Sequence, residues 1–546
     1  MKRLSSILIA LATTVLPAWA TEGDTVRVVF KGTTATVTIP QTASVTSAVT
    51  GARVVLTSST TTEEYVYDVS GTTTNGSLII TGDYKLTLRL NGVSIKSNNG
   101  SAIDVVCGKR IAVELVEGTT NTLADAVGGS QKGAFYTKGH AEFQGGGTLN
   151  VTGNSKHAIC AKEYLELKKS LGAINVLSAV SDGIHCGKGT LGNANNYFKM
   201  NGGVVNIANV GSDGIDSDDY GTIMVKGGSL NLNVDALDVV GLKADSTLTI
   251  AGGTVNISVT GQESSGIRSN WETYFEGGTV NIDVQGNGSK GIKGKMQTVK
   301  TVNNGGSVYL KGGEINILVG GATVYAANDT TKCMGMSVDA NLTQAAGAVS
   351  ILACGPEAYT YNVKGTEVLA DSFIAIAVPW TYAPYSYQYD MTAYVSLTVN
   401  GAAIDCRNLA VGAFVGDECR GVGTFTQQQG YTWSELRIRS NVASGEKVVF
   451  KAYNPSTGVV YACAETCDFV SQSVVGVPSN PFVLTAAASV QGDVNGDGSF
   501  TLADVTALID AYQKSEYKSA GDMDNDGKLT LADVKALLLL YLSTVE

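Results

Sequence analysis

The hexapeptide "GGTVNI" stands at Gly252–Ile257 and again, unchanged, at Gly277–Ile282, 25 residues later. Looser copies keep the form Gly-Gly-x-aliphatic-Asn-aliphatic and begin at Gly146, Gly202, Gly227 and Gly312. Aliphatic residues alternate with Thr, Asn or Ser within a copy, which is the period of a β-strand, and Gly-Gly supplies turns with positive φ. Since one copy is too short to fold alone, we expect the copies to stack and share a core.

Stacked copies with a period of 25 residues predict a right-handed parallel β-helix, in which each coil pairs with the next. We expect this domain to occupy residues 21–357. The Asn at the same place in successive copies, as at Asn206, Asn256 and Asn281, is expected to form a ladder of side-chain amides along the stack.

A second repeated phrase, four residues long with an apolar third residue, falls between the Gly-Gly copies. Its copies are "SAID" at Ser101, "GAFY" at Gly133, "HAIC" at His157, "DGIH" at Asp182, "DGID" at Asp213, "DALD" at Asp235, "SGIR" at Ser265 and "KGIK" at Lys290. The first and fourth residues are expected to point outward and form two columns. The fourth-residue column reads Asp104, Tyr136, Cys160, His185, Asp216, Asp238, Arg268 and Lys293, and the first-residue column contains Asp182, Asp213 and Asp235.

Carboxylates are concentrated in the middle of these columns, and the stretch "SDGIDSDDYG" adds Asp218 and Asp219. Because Ca²⁺ takes six to eight oxygen ligands, the acidic columns predict a calcium site. The alternative is a solvated acidic turn region whose aspartates accept hydrogen bonds from turn amides. The basic Arg268 and Lys293 follow directly and are predicted to bind a carboxylate of the ligand. The three histidines are scattered in sequence and are expected on the surface or in packing.

The repeated "SDGI" and "GGTVNI" phrases over roughly residues 50–355 resemble the carbohydrate-binding β-helix family whose characterised members bind polygalacturonic acid. The resemblance implies a pectate-lyase-like fold, bound Ca²⁺ and a polyuronate ligand from the plant cell wall.

Two other functional classes stay open. A calcium-dependent pectate lyase acting by β-elimination needs a Lys or Arg base, for which Arg268 and Lys293 are the candidates. The Gly-His-Gly and Arg-Ile-Lys tripeptides that accompany the carboxylates of polygalacturonases are both absent from the sequence. A structural or adhesive surface protein is the third possibility, and binding without catalysis is favoured.

The most specific motif lies near the C-terminus and occurs twice, as "DVNGDGSFTLAD" from Asp493 and "DMDNDGKLTLAD" from Asp522. Each copy has oxygen ligands at the spacing of a calcium loop, with Gly at the sharp turn. The predicted ligands, in loop order, are Asp493, Asn495, Asp497, the Ser499 carbonyl, Thr501 and Asp504, then Asp522, Asp524, Asp526, the Lys528 carbonyl, Thr530 and Asp533.

Each loop runs into a helix with an apolar face, which contains Ile509 and Tyr512 in the first helix and Leu538 in the second. Duplicated loops with exiting helices resemble a type I dockerin over residues 492–542, within a module expected at 489–546. The resemblance implies docking to a cohesin on a scaffold or cell surface.

The remaining segments suggest an exported protein with a spacer. Lys2 and Arg3, an apolar run and Ala18-Trp19-Ala20 predict a signal peptide over residues 1–20, and hence a secreted or cell-surface location. No later apolar run is long enough for a membrane span, and the net charge of -11 argues against nucleic acid as a partner. Residues 358–488 are predicted to form an antiparallel β-sandwich spacer.

Nine cysteines cannot all pair within one exported chain. The pairs Cys463 with Cys467 and Cys406 with Cys419 are the disulfide candidates.

Overall fold

The computed structural model describes residues 25–187, 195–299, 302–326, 329–382, 386–399, 402–404, 406, 408–428, 431–456, 458–486, 492–495, 500–514, 518–523 and 528–545. The predicted signal peptide lies outside these residues. The described chain is mainly β, with two α-helices. The chain divides into two compact units, Met1–Asn231 and Leu232–Glu546.

The first unit consists of two sets of strands. The first set, here called the column strands, holds copies of the four-residue phrase and the strands that extend their sheet: Val45–Thr50, Ala52–Ser58, Gly76–Thr81, Ile103–Val106, Gly133–Thr137, His157–Ala161, Ile184–Cys186 and Ile215–Ser217. The other set comprises Thr25–Lys31, Thr34–Thr38, Val66–Thr73, Leu86–Lys96, Arg110–Leu115, Thr120–Ala124, His140–Gln144, Thr148–Gly153, Leu165–Leu167, Ala173–Ala179, Tyr197–Met200, Val204–Ile207, Thr222–Val225 and Ser229–Val234, the last of which crosses the unit boundary.

Val45–Thr50 pairs antiparallel with Ala52–Ser58. From Ala52–Ser58 onward, successive column strands pair in parallel and in register, so that the same position of each phrase falls on a common line. Ile159 pairs with Ile184, and Ile184 pairs with Ile215. In the first unit the third residue of each phrase is buried, whereas His185, next to Ile184, is half-buried. A Cβ at Gly183 would lie 2.7 Å from the Gly214 carbonyl oxygen. Glycine at the second position therefore lets the strands approach closely.

The second unit contains its own column strands and a second set of long parallel strands. The column strands are Val240–Ala244, Ser265–Ser269, Lys290–Gly294, Met334–Val338 and Tyr359–Val363. The second set comprises Leu248–Val259, Glu272–Val284, Ser307–Val319, Leu342–Ala353, Glu367–Val368 and Phe373–Ala377, and two short hairpins pair Met296–Val299 with Val302–Gly305 and Val324–Ala326 with Asp329–Thr331. Parallel pairing thus continues to Ala377.

The Asn residues of the Gly-Gly phrase form the predicted amide ladder. In the second unit the Asn281 amide donates to Asn256 Oδ1 at 2.9 Å, and the Asn316 amide donates to Asn281 Oδ1 at 3.1 Å. The second glycine of the phrase has a positive φ of 80° at Gly253 and 81° at Gly278. The turn that precedes each ladder position therefore favours glycine.

The C-terminal part of the second unit contains two helices and a mainly antiparallel sheet, in which Tyr389–Val399 also pairs in parallel with Val474–Val475 and Phe482–Ala486. The sheet strands are Tyr389–Val399, Ala402–Ala403, Ala410–Val415, Glu418–Thr424, Thr426–Gln428, Tyr431–Ser440, Ser444–Asn454, Val459–Val470, Val474–Val475 and Phe482–Ala486. The helices are α1, Leu502–Lys514, and α2, Leu531–Val545, with a 3₁₀ turn at Ser519–Gly521. None of the described helices is long and apolar enough to cross a bilayer.

The expectation of a mainly β chain with stacked parallel strands is confirmed. Twelve of the parallel strands close into a barrel through their pairings. Closure of the pairings does not by itself establish a right-handed helical winding. All nine cysteines are free, so the two predicted disulfides are wrong. Cys406 and Cys419 are buried in two different apolar clusters. Cys463 and Cys467 lie four residues apart on the extended strand Val459–Val470, which holds them too far apart for a disulfide.

Candidate functional site

The parallel register places the outward residues of the column strands side by side in the first unit. Asp104 pairs with Tyr136 and Tyr136 with Cys160, and the column continues through His185 to Asp216. The fourth-residue column is therefore as predicted up to Asp216.

Two imidazoles and two carboxylates meet where the columns reach the middle of the first unit. His157 Nδ1 and His185 Nδ1 each lie 3.0 Å from Asp182 Oδ2, and His185 Nδ1 lies 3.6 Å from Asp216 Oδ2. The two rings stack, with centroids 4.3 Å apart. The Asp213 amide donates to Asp182 Oδ1 at 3.2 Å. Asp182 is only 4% exposed, so it is enclosed by these groups.

The pKa values of the two histidines are shifted in opposite directions. Burial lowers the pKa of His157 and keeps its ring neutral. Burial also opposes charge on His185, but hydrogen bonds with Asp182 and Asp216 raise its pKa to about 9. Burial alone would raise the pKa of Asp182, yet its contacts with the two imidazoles hold that pKa well below the ordinary range. The result is a buried imidazolium–carboxylate pair.

The same cluster has the donor atoms of a cation site. Ligand atoms of Asp182, Asp213 and Asp216 lie within 4.8 Å of one another, and so do those of His157, Asp182 and His185. Three carboxylates suit Ca²⁺, which prefers oxygen. A Ca²⁺ ion on the carboxylates would compete with the His185 imidazolium for Asp182 and Asp216. The sequence predicts His157 and His185 on the surface or in packing, whereas the structure brings both to Asp182. Their places at column positions were the signal in the sequence for this role.

Asp218 and Asp219 contribute main-chain atoms to local structure. Their carbonyl oxygens accept hydrogen bonds from the Asn196 amide at 2.7 and 2.9 Å, and Asp219 has a φ of 53°. Neither belongs to the cation groups found among the described residues.

The column alignment fails in the second unit. Lys243 pairs with Arg268, and Val240 pairs with Ser265. The copy that belongs to the stack is therefore "VGLK" from Val240, and the phrase "DALD" precedes the strand. Asp235 and Asp238 lie outside the column because the chain makes a turn at Asp238, whose φ is 54°.

A basic column takes the place of the expected acidic one, and it consists of Lys243, Arg268 and Lys293. Arg268 pairs with Lys243 on one side and with Lys293 on the other, and all three are half-buried. Burial and the neighbouring Lys290 and Arg268 charges lower the pKa of Lys293. The Arg268 Nε–H is buried without a hydrogen-bond partner in the described part of the chain. This Arg268 nitrogen is therefore available to an anion that binds at the column.

In the C-terminal repeats, the last aspartate of each predicted calcium loop closes the loop. Asp504 accepts hydrogen bonds from the Thr501 amide at 2.8 Å and the Asn495 amide at 3.1 Å, and Asp533 accepts from the Thr530 and Met523 amides, both at 2.8 Å. Each Thr also caps the helix that follows, because its hydroxyl accepts from the main-chain amide of Ala503 at 3.2 Å in the first repeat and of Ala532 at 3.1 Å in the second.

The predicted ligands Asp497, Ser499, Asp524 and Asp526 lie outside the described residues. Of the others, Asp493, Asn495, Asp522 and Lys528 are in the described part of the chain.

A family model described as "Carbohydrate-binding domain-containing protein" matches residues 50–329, just over half of the chain. The chain belongs to this family. A second model, the type I dockerin domain, matches residues 491–538. Type I dockerins bind calcium, and proteins that contain them are typically extracellular or attached to a cell surface. A carbohydrate-binding domain with a dockerin implies binding of cell-wall polysaccharide and attachment to a cohesin.

The comparison with curated proteins gave no match. A solved structure described as a polysaccharide lyase-like protein from C. thermocellum, gadolinium derivative, is 16% identical and covers 64% of this chain and 98% of its own. Its TM-score of 0.28 is too low to carry an argument about this chain.

Proposed function

We propose that this protein binds a polyuronate of the plant cell wall, pectin above all, and is held on a scaffold or surface by its dockerin. The observation that carries the ligand class is the basic column of Lys243, Arg268 and Lys293. A chain with a net charge of -11 repels a polyanion as a whole. Local cations must therefore supply the attraction.

The geometry of the basic column suits a repeating anion. Neighbouring parallel strands are about 4.8 Å apart, so the column presents one cation per strand along a straight line. A polyuronate carries one carboxylate per sugar. The Arg268 guanidinium offers a charge-assisted, bidentate contact to such a carboxylate. Binding of the anion would also relieve the repulsion between Arg268 and Lys293.

We propose the dockerin loops as the main Ca²⁺ sites, because the predicted ligand spacing occurs in both of them. A further Ca²⁺ at Asp182, Asp213 and Asp216, bridging to uronate carboxylates, stays a proposal. It requires that His185 give up its contacts with Asp182 and Asp216.

The dockerin helices support attachment to a cohesin. The sequence predicts that Ile509, Tyr512 and Leu538 belong to the apolar faces of the helices, yet these side chains are 40%, 37% and 38% exposed. Leu539 and Leu542 on α2 are exposed as well. Exposed apolar side chains on a small helical module provide the contact area that a protein partner buries. Among the described residues, the buried apolar cluster of the module consists of Val494, Val505, Leu508 and Leu537.

We further propose that the parallel strands wind as a right-handed β-helix, with an antiparallel sandwich as spacer before the dockerin. The parallel register of the column strands supports the β-helix, because each strand pairs with the equivalent strand of the next repeat. Nearly all parallel crossovers are right-handed. The signal peptide at residues 1–20 and the boundaries at 357 and 488 remain predictions.

Affinity electrophoresis of the whole protein in gels containing polygalacturonate tests the ligand assignment. Replacing Arg268 and Lys293 by Gln should raise the dissociation constant about 10- to 100-fold, the usual worth of hydrogen bonds to charged groups. In the matched control, Lys311 and Lys364 are replaced by Gln, which also removes two positive charges. These lysines form ion pairs with Glu276 and Asp339, respectively. Equal loss in both double variants would show bulk charge rather than the column, and no retention of the wild type would refute polyuronate binding.

Chelator separates the two modes of binding in the same gels. Retention that persists in chelator would contradict a calcium bridge and leave the basic column as the binding surface. Release of the wild type by chelator would support the bridge.

One observation favours a second function, that of a polysaccharide lyase. Burial and like charges lower the pKa of Lys293, which makes its neutral amine more available as a base. Incubation with polygalacturonate and calcium should then produce the absorbance of unsaturated uronides, and Lys293→Gln should abolish it. A flat trace would leave binding without catalysis. A glycan array on which nothing is retained would favour the adhesive alternative.

A further inference from the structure

A polar groove of about 680 Å³ lies on the first unit, apart from the histidine–aspartate cluster. Its floor is a line of three column residues, in which Ile79 pairs with Asp104 and Asp104 pairs with Tyr136. Ile103–Val106 is paired on both sides, so the floor has no free strand edge. A peptide therefore cannot add to it as a further strand.

One wall of the groove is a loop that is fixed by hydrogen bonds. The Gln131 amide donates to Asp125 Oδ2 at 3.1 Å, to the Ala126 carbonyl at 2.7 Å and to the Gly128 carbonyl at 3.2 Å. The Asn154 amide group donates to the Asp125 carbonyl at 2.8 Å. These bonds hold the wall in place before any ligand arrives, so little ordering entropy is lost on binding.

The floor contains an acceptor that the protein leaves unused. Asp104 Oδ1 is buried and has no hydrogen-bond partner within the described residues. A buried polar atom without a partner is destabilising by roughly 1 to 3 kcal/mol, so such an atom at a groove indicates a ligand donor. Burial also raises the pKa of Asp104.

The other groups of the groove complete a site for a sugar. The half-buried Tyr136 also lines the groove and stands opposite Asp104 on the neighbouring strand, whose backbone is about 4.8 Å away. The exposed cations Arg53 and Lys132 line the rim. A sugar ring has an apolar face of C–H groups and hydroxyl groups at its edge. The apolar face can stack on the tyrosine ring while a hydroxyl donates a hydrogen bond to the carboxylate.

We propose that this groove is a second carbohydrate subsite, which binds one pyranose ring on Tyr136 with a hydroxyl donated to Asp104. The rim cations Arg53 and Lys132 make a uronate the favoured sugar. This inference rests on the proposed function. It adds a subsite that recognises the sugar ring and its hydroxyls to the basic column, which recognises carboxylates.

Isothermal titration of the whole protein with trigalacturonate, and separately with neutral cellotriose, tests the subsite. Tyr136→Ala should weaken trigalacturonate binding about 10-fold, and Tyr136→Phe, which keeps the ring, should weaken it much less. Asp104→Asn keeps an acceptor oxygen but removes its charge, so it should weaken binding about 5- to 10-fold, roughly the difference between a charged and a neutral hydrogen bond. Tyr325→Ala, at a tyrosine that is 60% exposed in the second unit, is the control and should bind as the wild type.

Hydrogen exchange of residues 126–132 provides a second measurement that does not depend on affinity. Trigalacturonate should slow exchange in this loop in the wild type and not in Tyr136→Ala. Wild-type affinity and unchanged protection in Tyr136→Ala and Asp104→Asn would overturn the subsite while leaving the proposed function intact. Absence of binding by the wild type to either oligosaccharide would overturn both.

Discussion

His185 determines the electrostatics of the acidic columns. A group of aspartates without it would repel one another, and the imidazolium bound to Asp182 and Asp216 removes much of that repulsion. The pKa of about 9 in the folded protein lies above the ordinary value of about 6.5. The folded state therefore binds this proton more tightly than the unfolded state does.

The sign of the pH dependence follows from the raised pKa. The stabilisation by His185 is complete below about pH 6.5 and is lost as the pH rises through about 9. Asp182, with its lowered pKa, contributes above about pH 4 and loses its contribution on further acidification. In chelator, His185→Gln should lower the free energy of unfolding at pH 6 by on the order of 2 kcal/mol and flatten its decline between pH 6.5 and 9.

Urea unfolding of the whole protein at several pH values checks this prediction. His140→Gln is the control. The His140 ring stacks on the Tyr164 ring, with centroids 4.4 Å apart, and does not contact Asp182 or Asp216 in the described part of the chain. An unchanged pH profile in His185→Gln would contradict the assignment of the bound proton.

At the scale of the element, the amide ladder ties successive repeats together. In the first unit Asn175, Asn206 and Asn231 each donate to the preceding Asn of the ladder at 2.8 Å. An interior member such as Asn206 makes two of these bonds, whereas the first member, Asn150, only accepts one from the next Asn. The sequence repeat at one position thus becomes a chain of bonds along the stack.

Asn206→Ala should destabilise the first unit by about 1 to 3 kcal/mol, because it removes two bonds and leaves neighbouring amides with fewer partners. Asn150→Ala should have about half that effect. Faster hydrogen exchange in Val204–Ile207 is the measurement, since local opening follows local stability. Equal effects of the two substitutions would show that the ladder adds nothing beyond burial.

At the scale of the whole molecule, ligand binding and attachment are assigned to different segments. A chain that ends at residue 488 should keep its retention by polygalacturonate and lose binding to cohesin modules. Chelator should have the same effect on cohesin binding by the whole protein, because type I dockerins bind calcium and a bound metal stabilises the fold of its site. Native gel shifts with cohesins, with and without calcium, measure both. Cohesin binding by the truncated chain would contradict the assignment.

The sequence by itself determined the features that depend on short-range order. The Gly-Gly-x-aliphatic-Asn-aliphatic phrase predicts strands and an amide ladder because both follow from residues within one repeat and its exact recurrence. The paired loops from Asp493 and Asp522 predict a dockerin because all ligands of a calcium loop lie within 12 residues.

Only the tertiary structure decided which side chains meet between repeats. Repeats differ in length, so Asp182 and Asp213 are 31 residues apart, whereas the ladder residues Asn256 and Asn281 are 25 apart. Insertions change the register that aligns one phrase with the next, and this is why Lys243 rather than Asp238 stands beside Arg268. The proximity of His157 and His185 to Asp182, and of Asp104 to Tyr136, depends on strand pairing across those insertions, which no local pattern specifies.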